Sequence, residues 1–152
     1  MLTTGALEEL RSGWKLRREV THGSNRYDFR LTRAGRVYWV EVKSVTWVED
    51  GIGLFPDAPT ARGVRHVESL AALAAEPGVE TLVLFVVQRG DAREVRPGAA
   101  VDPAFATALA GARRAGVRLR AAVFRFDSAA QARFVRVVPV LPAAAGNGDG
   151  LP

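Results

Sequence analysis

Apolar and polar positions along the chain switch between a helical and a two-residue period, and the switches mark the elements. Leu2 to Leu10 has helical spacing, with Thr3 or Thr4 as N-cap and Gly13 near its end, which predicts a short first helix. Trp14 to Thr21 reads as a strand, followed by the turn residues His22-Gly23-Ser24-Asn25. Arg26 to Thr32 and Arg36 to Val48 predict two more strands, separated by Arg33-Ala34-Gly35. Glu49 to Pro59 is rich in Gly and Pro and reads as loop. Thr60 caps a helix to Glu76, in which Val64, Val67, Leu70, Ala71 and Ala74 recur before Pro77-Gly78 stops it. Thr81 to Val87 is an unbroken apolar run of strand length, the pattern of a strand covered on both faces. Asp102-Pro103 opens a helix to Ala115, with Asp as cap, Pro at the first helical position and Gly116 at the end. Val117 to Phe126 and Phe134 to Val140 predict the last strands. The order is helix, three-strand meander, helix, strand, helix, strand, strand. It implies an α/β three-layer arrangement, a mixed central sheet flanked by helices.

The length, 152 residues, suits one domain, expected over residues 1–141. Residues 142–152, with their Ala, Gly and Asn run, are expected to form a flexible tail. No cysteine is present, which excludes disulfides, thiolate nucleophiles, zinc fingers and iron–sulfur clusters. Gly51-x-Gly53 is too short for a nucleotide fingerprint, so no small-molecule cofactor is expected. The longest apolar runs fall far below the ~20 residues of a membrane span. The N-terminus also lacks a basic-then-apolar export pattern. The expectation is a cytoplasmic protein with no membrane partner.

Charge adds a candidate ligand. The 21 Lys+Arg against 16 Asp+Glu leave a formal +5. Arginine gathers over Arg11 to Arg36 and again over Arg113 to Arg136, where Asp127 is the one acid. Such a field favours polyanions. A solvated face with biased codon usage explains it as well.

The chemistry concentrates in the central strand, Val37-Tyr38-Trp39-Val40-Glu41-Val42-Lys43-Ser44. Glu41 and Lys43 are two apart and point to the same side of the sheet, ~6.5–7 Å from each other. If Ala34-Gly35 forms a two-residue turn, residues whose numbers sum to 69 lie opposite, and Asp28 faces Glu41; a longer, bulged turn is the alternative. Two facing carboxylates repel and need a cation between them. Hard oxygen ligands favour Mg²⁺ or Mn²⁺, beside which Lys43 can orient or deprotonate a water that attacks phosphorus. The competing reading is a salt bridge of Lys43 with Asp28 or Glu41 on a half-exposed hairpin.

Asp28…Glu41-x-Lys43 resembles the PD-(D/E)xK nuclease pattern. The surrounding strings are Asn25-Arg26-Tyr27-Asp28-Phe29, Glu41 to Thr46, and Phe55-Pro56-Asp57-Ala58-Pro59-Thr60-x-Arg62-Gly63-x-x-His66. With Leu84 to Ala92 and Asp102-Pro103-x-Phe105-Ala106, they resemble the sugar fermentation stimulation protein family, SfsA. The resemblance implies a restriction-endonuclease-like fold and a DNA-binding protein. It also implies Asp28 and Glu41 as metal ligands for Mg²⁺ or Mn²⁺, and Lys43 as the catalytic lysine. A further acid on the first helix or early strand is common in the nuclease superfamily; Glu8, Glu9 and Glu19 are the candidates, Glu19 nearest the motif. The arginines expected to contact nucleic acid are Arg26, Arg62, Arg65, Arg118 and Arg120. Members usually carry an OB-fold domain ahead of this one, so a shortened homologue or an isolated domain is expected. Two functions follow: a DNA-binding, Mg²⁺-dependent phosphodiesterase, or a non-catalytic DNA-binding regulator of sugar metabolism that retains the nuclease fold. Nucleases that cut both strands often pair, so a homodimer is among the expectations.

Asp57, Arg62 and His66 could line the site, or form a rigid Pro-rich linker and a capped helix start. Gln88 could hydrogen-bond the catalytic end of the sheet, or be an ordinary strand-end residue. His22 reads as a solvated turn residue. Trp39 and Trp47 are expected on the face of Glu41, as core or as a base-stacking surface. A helix-turn-helix over Asp102 to Phe126 is disfavoured because Val117 to Phe124 alternates at period two.

Overall fold

The computed structural model describes residues 13–143. The expected helix at Leu2–Leu10, the acids Glu8 and Glu9 and most of the expected tail lie outside the described residues. Three antiparallel strands come first: β1 (Lys15–His22), β2 (Asn25–Arg33) and β3 (Arg36–Val45). Ala34 and Gly35 both take left-handed φ, 46° and 79°, and make a two-residue turn despite the alanine. Pairing from Arg33↔Arg36 to Phe29↔Val40 therefore follows the register that such a turn sets.

The expected strand Arg36–Val48 does not run through. It ends at Val45, and Trp47–Glu49 forms a separate β4. Asp50 and Gly51, at φ 51° and 80°, turn it back into β5 (Ile52–Phe55). The Gly and Pro in this stretch suggested loop, whereas Asp-Gly between short apolar runs is a hairpin turn. The chain then forms α1 (Ala61–Ala74), β6 (Val79–Val87), β7 (Glu94–Pro97), α2 (Pro103–Arg114), β8 (Arg118–Phe126) and β9 (Ala132–Val138). A six-stranded mixed sheet has the order β1-β2-β3-β6-β8-β9, and β4-β5-β7 form a small second sheet. Strand β8 replaces the disfavoured helix-turn-helix.

Strand β6 lies parallel between β3 and β8, which is why it is apolar from Leu82 to Val87. Its odd positions Val83, Phe85 and Val87 pack with Val67, Leu70 and Leu73 of α1 and with Phe105, Leu109 and Ala112 of α2. Its even positions Leu82, Leu84 and Val86 join Leu31, Tyr38, Val40, Ala122 and Phe124 on the other face. Both described helices thus cover one face of the sheet. Full burial of Leu70 or Phe105 contributes about 1.5–3 kcal/mol each. The helices start together: Thr60 Oγ1 accepts the Gly63 amide, and the Asp102 carboxylate accepts both the Thr60 and Phe105 amides. No helix among the described residues is long and apolar enough to cross a membrane.

Candidate active site

Tyr27 and Phe29 are two apart and would share one face of a regular strand. Instead Tyr27 packs with Trp39 and Val67 on the helix side, while Phe29 packs against the cluster on the other face. The faces exchange at Asp28, and β1 follows. Arg18 pairs with Phe29 and Val20 with Tyr27, while Glu19 between them holds a left-handed φ of 50°. That conformation costs a non-glycine residue about 1–2 kcal/mol. It leaves Asp28 at the margin of the sheet, where Oδ2 accepts the Val42 amide at 2.7 Å.

Glu41 is buried in β3, on the helix side with Trp39 and Val45. Its Oε1 accepts from Lys43 Nζ at 2.9 Å and shares a hydrogen bond with His66 Nδ1, on α1, at 2.6 Å. Its Oε2 is also buried and has no hydrogen-bond partner. Burial pushes the Asp28 carboxyl above the usual carboxylate range. The Val42 amide opposes this, the Glu41 charge adds to it, and Lys43 and His66 pull it back. Asp28, Glu41, Lys43 and His66 therefore share one electrostatic site.

A second layer backs it. The Tyr27 ring lies 6.0 Å from the His66 ring, its hydroxyl hydrogen-bonds to Ser69 Oγ, and Asn25 Nδ2 donates to the same Oγ at 3.0 Å. Burial raises the Tyr27 hydroxyl above its ordinary range; the Ser69 bond opposes that, and the Glu41 charge adds to it. Sequence reasoning missed Ser69. The signal was its place three residues after His66, on the same helix face.

Other nominated residues go elsewhere. The Glu19 side chain is drawn to Arg26 at 2.7 Å, both exposed. Asp57 is exposed in the Pro-rich loop, and Arg62 and Arg65 are exposed on α1. Gln88 donates to Ser44 Oγ, which alternates with Lys43 and so faces away from it. Arg118 pairs with Glu80 at 3.1 Å. Arg118 and Arg120 flank Leu119, which packs on the helix side, so they lie on the face opposite Arg62 and Arg65. Trp39 is core, held between Tyr27, His22 and Arg30. His22, expected to be a solvated turn residue, is exposed yet rests its ring 5.2 Å from Trp39. Trp47 is on the small sheet rather than on the strand of Glu41, with its indole donating to Glu49 at 2.8 Å.

Among the described residues no group of three or more His, Asp or Glu side chains is gathered to hold a metal ion. The donors still fit a hard cation. Glu41 Oε2 is a buried, unpartnered acceptor beside a second carboxylate, and Mg²⁺ commonly takes only one or two carboxylates, completing its shell with water and phosphate oxygens.

A mixed sheet with two helices on one face, carrying an Asp on one strand and Glu-x-Lys on the next, is a nuclease-like α/β domain. The chain matches the family model described as the sugar fermentation stimulation protein RE domain over residues 1–130, and it belongs to that family. It is similar to the sugar fermentation stimulation protein homolog of Acetivibrio thermocellus, 46% identical over 142 residues, covering 92% of this chain and 60% of the relative. The Geobacter sulfurreducens homolog is 39% identical over 147 residues, 96% of this chain and 61% of the relative. The chain thus spans about three-fifths of these relatives. The structure of Pyrococcus furiosus SfsA in complex with Ca²⁺ matches with a TM-score of 0.82 and 28% identity, over 89% of this chain and 58% of that one.

Proposed function

We propose that this domain binds DNA and hydrolyses its phosphodiester bonds with a divalent cation, Mg²⁺ or Mn²⁺, held by Asp28 and Glu41. The observation that carries this reading is the divided carboxylate of Glu41. One oxygen takes Lys43 and His66, and the other is buried and bare. An unpartnered buried carboxylate oxygen beside a second acid is costly unless a cation shares it. When bound, the cation supplies a Lewis acid and a more acidic water. Lys43 holds its ammonium at the same carboxylate, suited to orient the attacking water and to offset charge on the phosphate as the ester bond breaks. The Ca²⁺ complex of the Pyrococcus relative supports the reading, since Ca²⁺ and Mg²⁺ both select oxygen ligands.

A second reading, a DNA-binding regulator without cleavage, is favoured by the Lys43–Glu41 ion pair, which neutralises the acid from within the chain. Incubating the purified protein with single- and double-stranded DNA plus Mg²⁺, Mn²⁺ or chelator separates the two. Cleavage is expected with metal, lost in chelator, and lost in Glu41→Ala and Lys43→Ala while filter binding stays nearly intact. Cutting that survives Lys43→Ala overturns the enzymatic reading. Binding without cutting in the unmodified protein leaves the second.

A further inference from the structure

We propose, resting on the metal reading above, that His66 is a positioning residue that fixes the Glu41 carboxylate so that Oε2, and not Oε1, faces the cation. Glu41 and His66 are 5% and 4% exposed, so their contact is shielded from bulk solvent. A carboxylate ion-paired with Lys43 acts as an acceptor, so this positioning requires Nδ1 to carry the proton and to donate across the 2.6 Å contact. Lys43 reaches the same Oε1, but on a flexible four-carbon stem from two residues along the same strand. The terminal torsion of Glu is broad and nearly two-fold, so this tether alone lets the two oxygens exchange. A ring fixed on a helix removes that freedom, as the outer partners of metal ligands do.

The ring is itself held. Tyr27 packs against it at 6.0 Å with the planes tilted 48°, and the Tyr27 hydroxyl is tied to Ser69, the next turn of the same helix. Asn25 donates to Ser69 as well. Strand β2 thus grips α1 at positions 66 and 69. The exchange of faces at Asp28 puts Tyr27 against α1 and the Asp28 carboxylate at Val42 in one distortion of the strand. Ligand and positioning residue are set by the same two-residue segment.

Calorimetric titration of Mn²⁺ into the DNA-free protein tests this. His66→Leu is expected to weaken Mn²⁺ binding by about 10- to 100-fold. His66→Asn, whose amide nitrogen falls near the place of Nδ1, is expected to recover most of it. Nitrogen-15 NMR of the metal-free protein is expected to show the His66 ring protonated at Nδ1, a readout that stands even if His66→Leu does not fold. A ring protonated only at Nε2 overturns the inference. So does His66→Leu binding Mn²⁺ as tightly as the unmodified chain while Glu41→Gln is weakened, and this result leaves the metal reading intact. An unmodified chain that takes no Mn²⁺, or Glu41→Gln binding undiminished, overturns the metal reading and this inference with it.

Discussion

The Asp28 carboxylate accepts the Val42 amide at 2.7 Å, just past the last backbone pair of the β2–β3 ladder, Phe29 with Val40. A side chain has taken over where the backbone ladder stops. The acid is thereby anchored to the strand that carries Glu41 and Lys43.

Despite that anchor, burial makes the Asp28 charge a stability liability in the absence of a cation. Burial, reinforced by the Glu41 charge, raises its carboxyl above the usual range. A raised carboxyl favours the folded state when protonated. The contribution is fully present below the unfolded value of about 3.9 and is lost as pH rises through the higher folded value. Asp28→Asn keeps an acceptor for Val42 and removes the charge. In chelator, its melting temperature is expected to exceed that of the unmodified chain at neutral pH, with the advantage shrinking toward pH 4. Its Mn²⁺ affinity is expected to fall. A constant difference in melting temperature across that range would contradict the assignment.

Much of this site was legible in the sequence because its residues lie on paired strands. A two-residue turn sets the pairing as far as Phe29 with Val40, and a period of two puts Lys43 on the face of Glu41; the expected pair of Asp28 with Glu41 does not form, and the Asp28 carboxylate takes the Val42 amide instead. The sequence did not reveal that the faces exchange at Asp28, since that depends on Glu19 accepting a left-handed φ, which a glutamate does not advertise. His66 was a candidate from the sequence, but its contact with Glu41, like the place of Ser69, comes from the packing of α1, a tertiary property. Strand β7 was missed because Glu94–Pro97 is four residues long and is recruited by β5, forty residues earlier. The arginine-rich stretch suggested a phosphate-binding field, yet Arg113 donates to the Val140 carbonyl, Arg133 pairs with Asp127 and Arg136 donates to Gly90 and Ala92.

Lys43 and Glu41 form a nearly buried pair, with side chains 12% and 6% exposed. Removing one partner strands a charge in a low dielectric, so Lys43→Met is expected to cost about 3 kcal/mol in urea denaturation at neutral pH. Glu41→Gln combined with Lys43→Met is expected to cost less than the two single changes added together, because no uncompensated charge remains. Strict additivity would show that the ion pair is not coupled in solution.

Asp102 links the two helix starts. Its carboxylate accepts the Thr60 amide at 2.8 Å and the Phe105 amide at 2.9 Å, and these bonds, Thr60 first, hold its carboxyl below the usual range. A depressed carboxyl stabilises the fold above its unfolded value of about 3.9, and that contribution is lost as pH falls through the folded value. Thr60→Ala removes one cap and is expected to cost about 1 kcal/mol. Asp102→Ala leaves two amides without an acceptor and is expected to be the more damaging change at pH 7. The gap should narrow on acidification toward pH 2. Equal denaturation midpoints for the two variants at pH 7 would show that Asp102 acts on one helix only.

If DNA docks beside the candidate site, its phosphates meet exposed arginines of α1. Arg62 and Arg65 are exposed on α1, the helix that delivers His66, and form no ion pair among the described residues. Arg136 is committed, with its guanidinium on the Gly90 carbonyl at 3.1 Å and on that of Ala92. Removing a side chain that neutralises one phosphate lowers the slope of log affinity against log salt by about 1. Arg62→Ala and Arg65→Ala are each expected to reduce that slope in filter binding and to leave the melting temperature unchanged. Arg136→Ala is expected to do the reverse, because it leaves two backbone acceptors without their donor while taking nothing from the α1 surface. A slope that falls for Arg136→Ala and not for Arg62→Ala would move the DNA to the β9 edge of the sheet, away from Asp28 and Glu41.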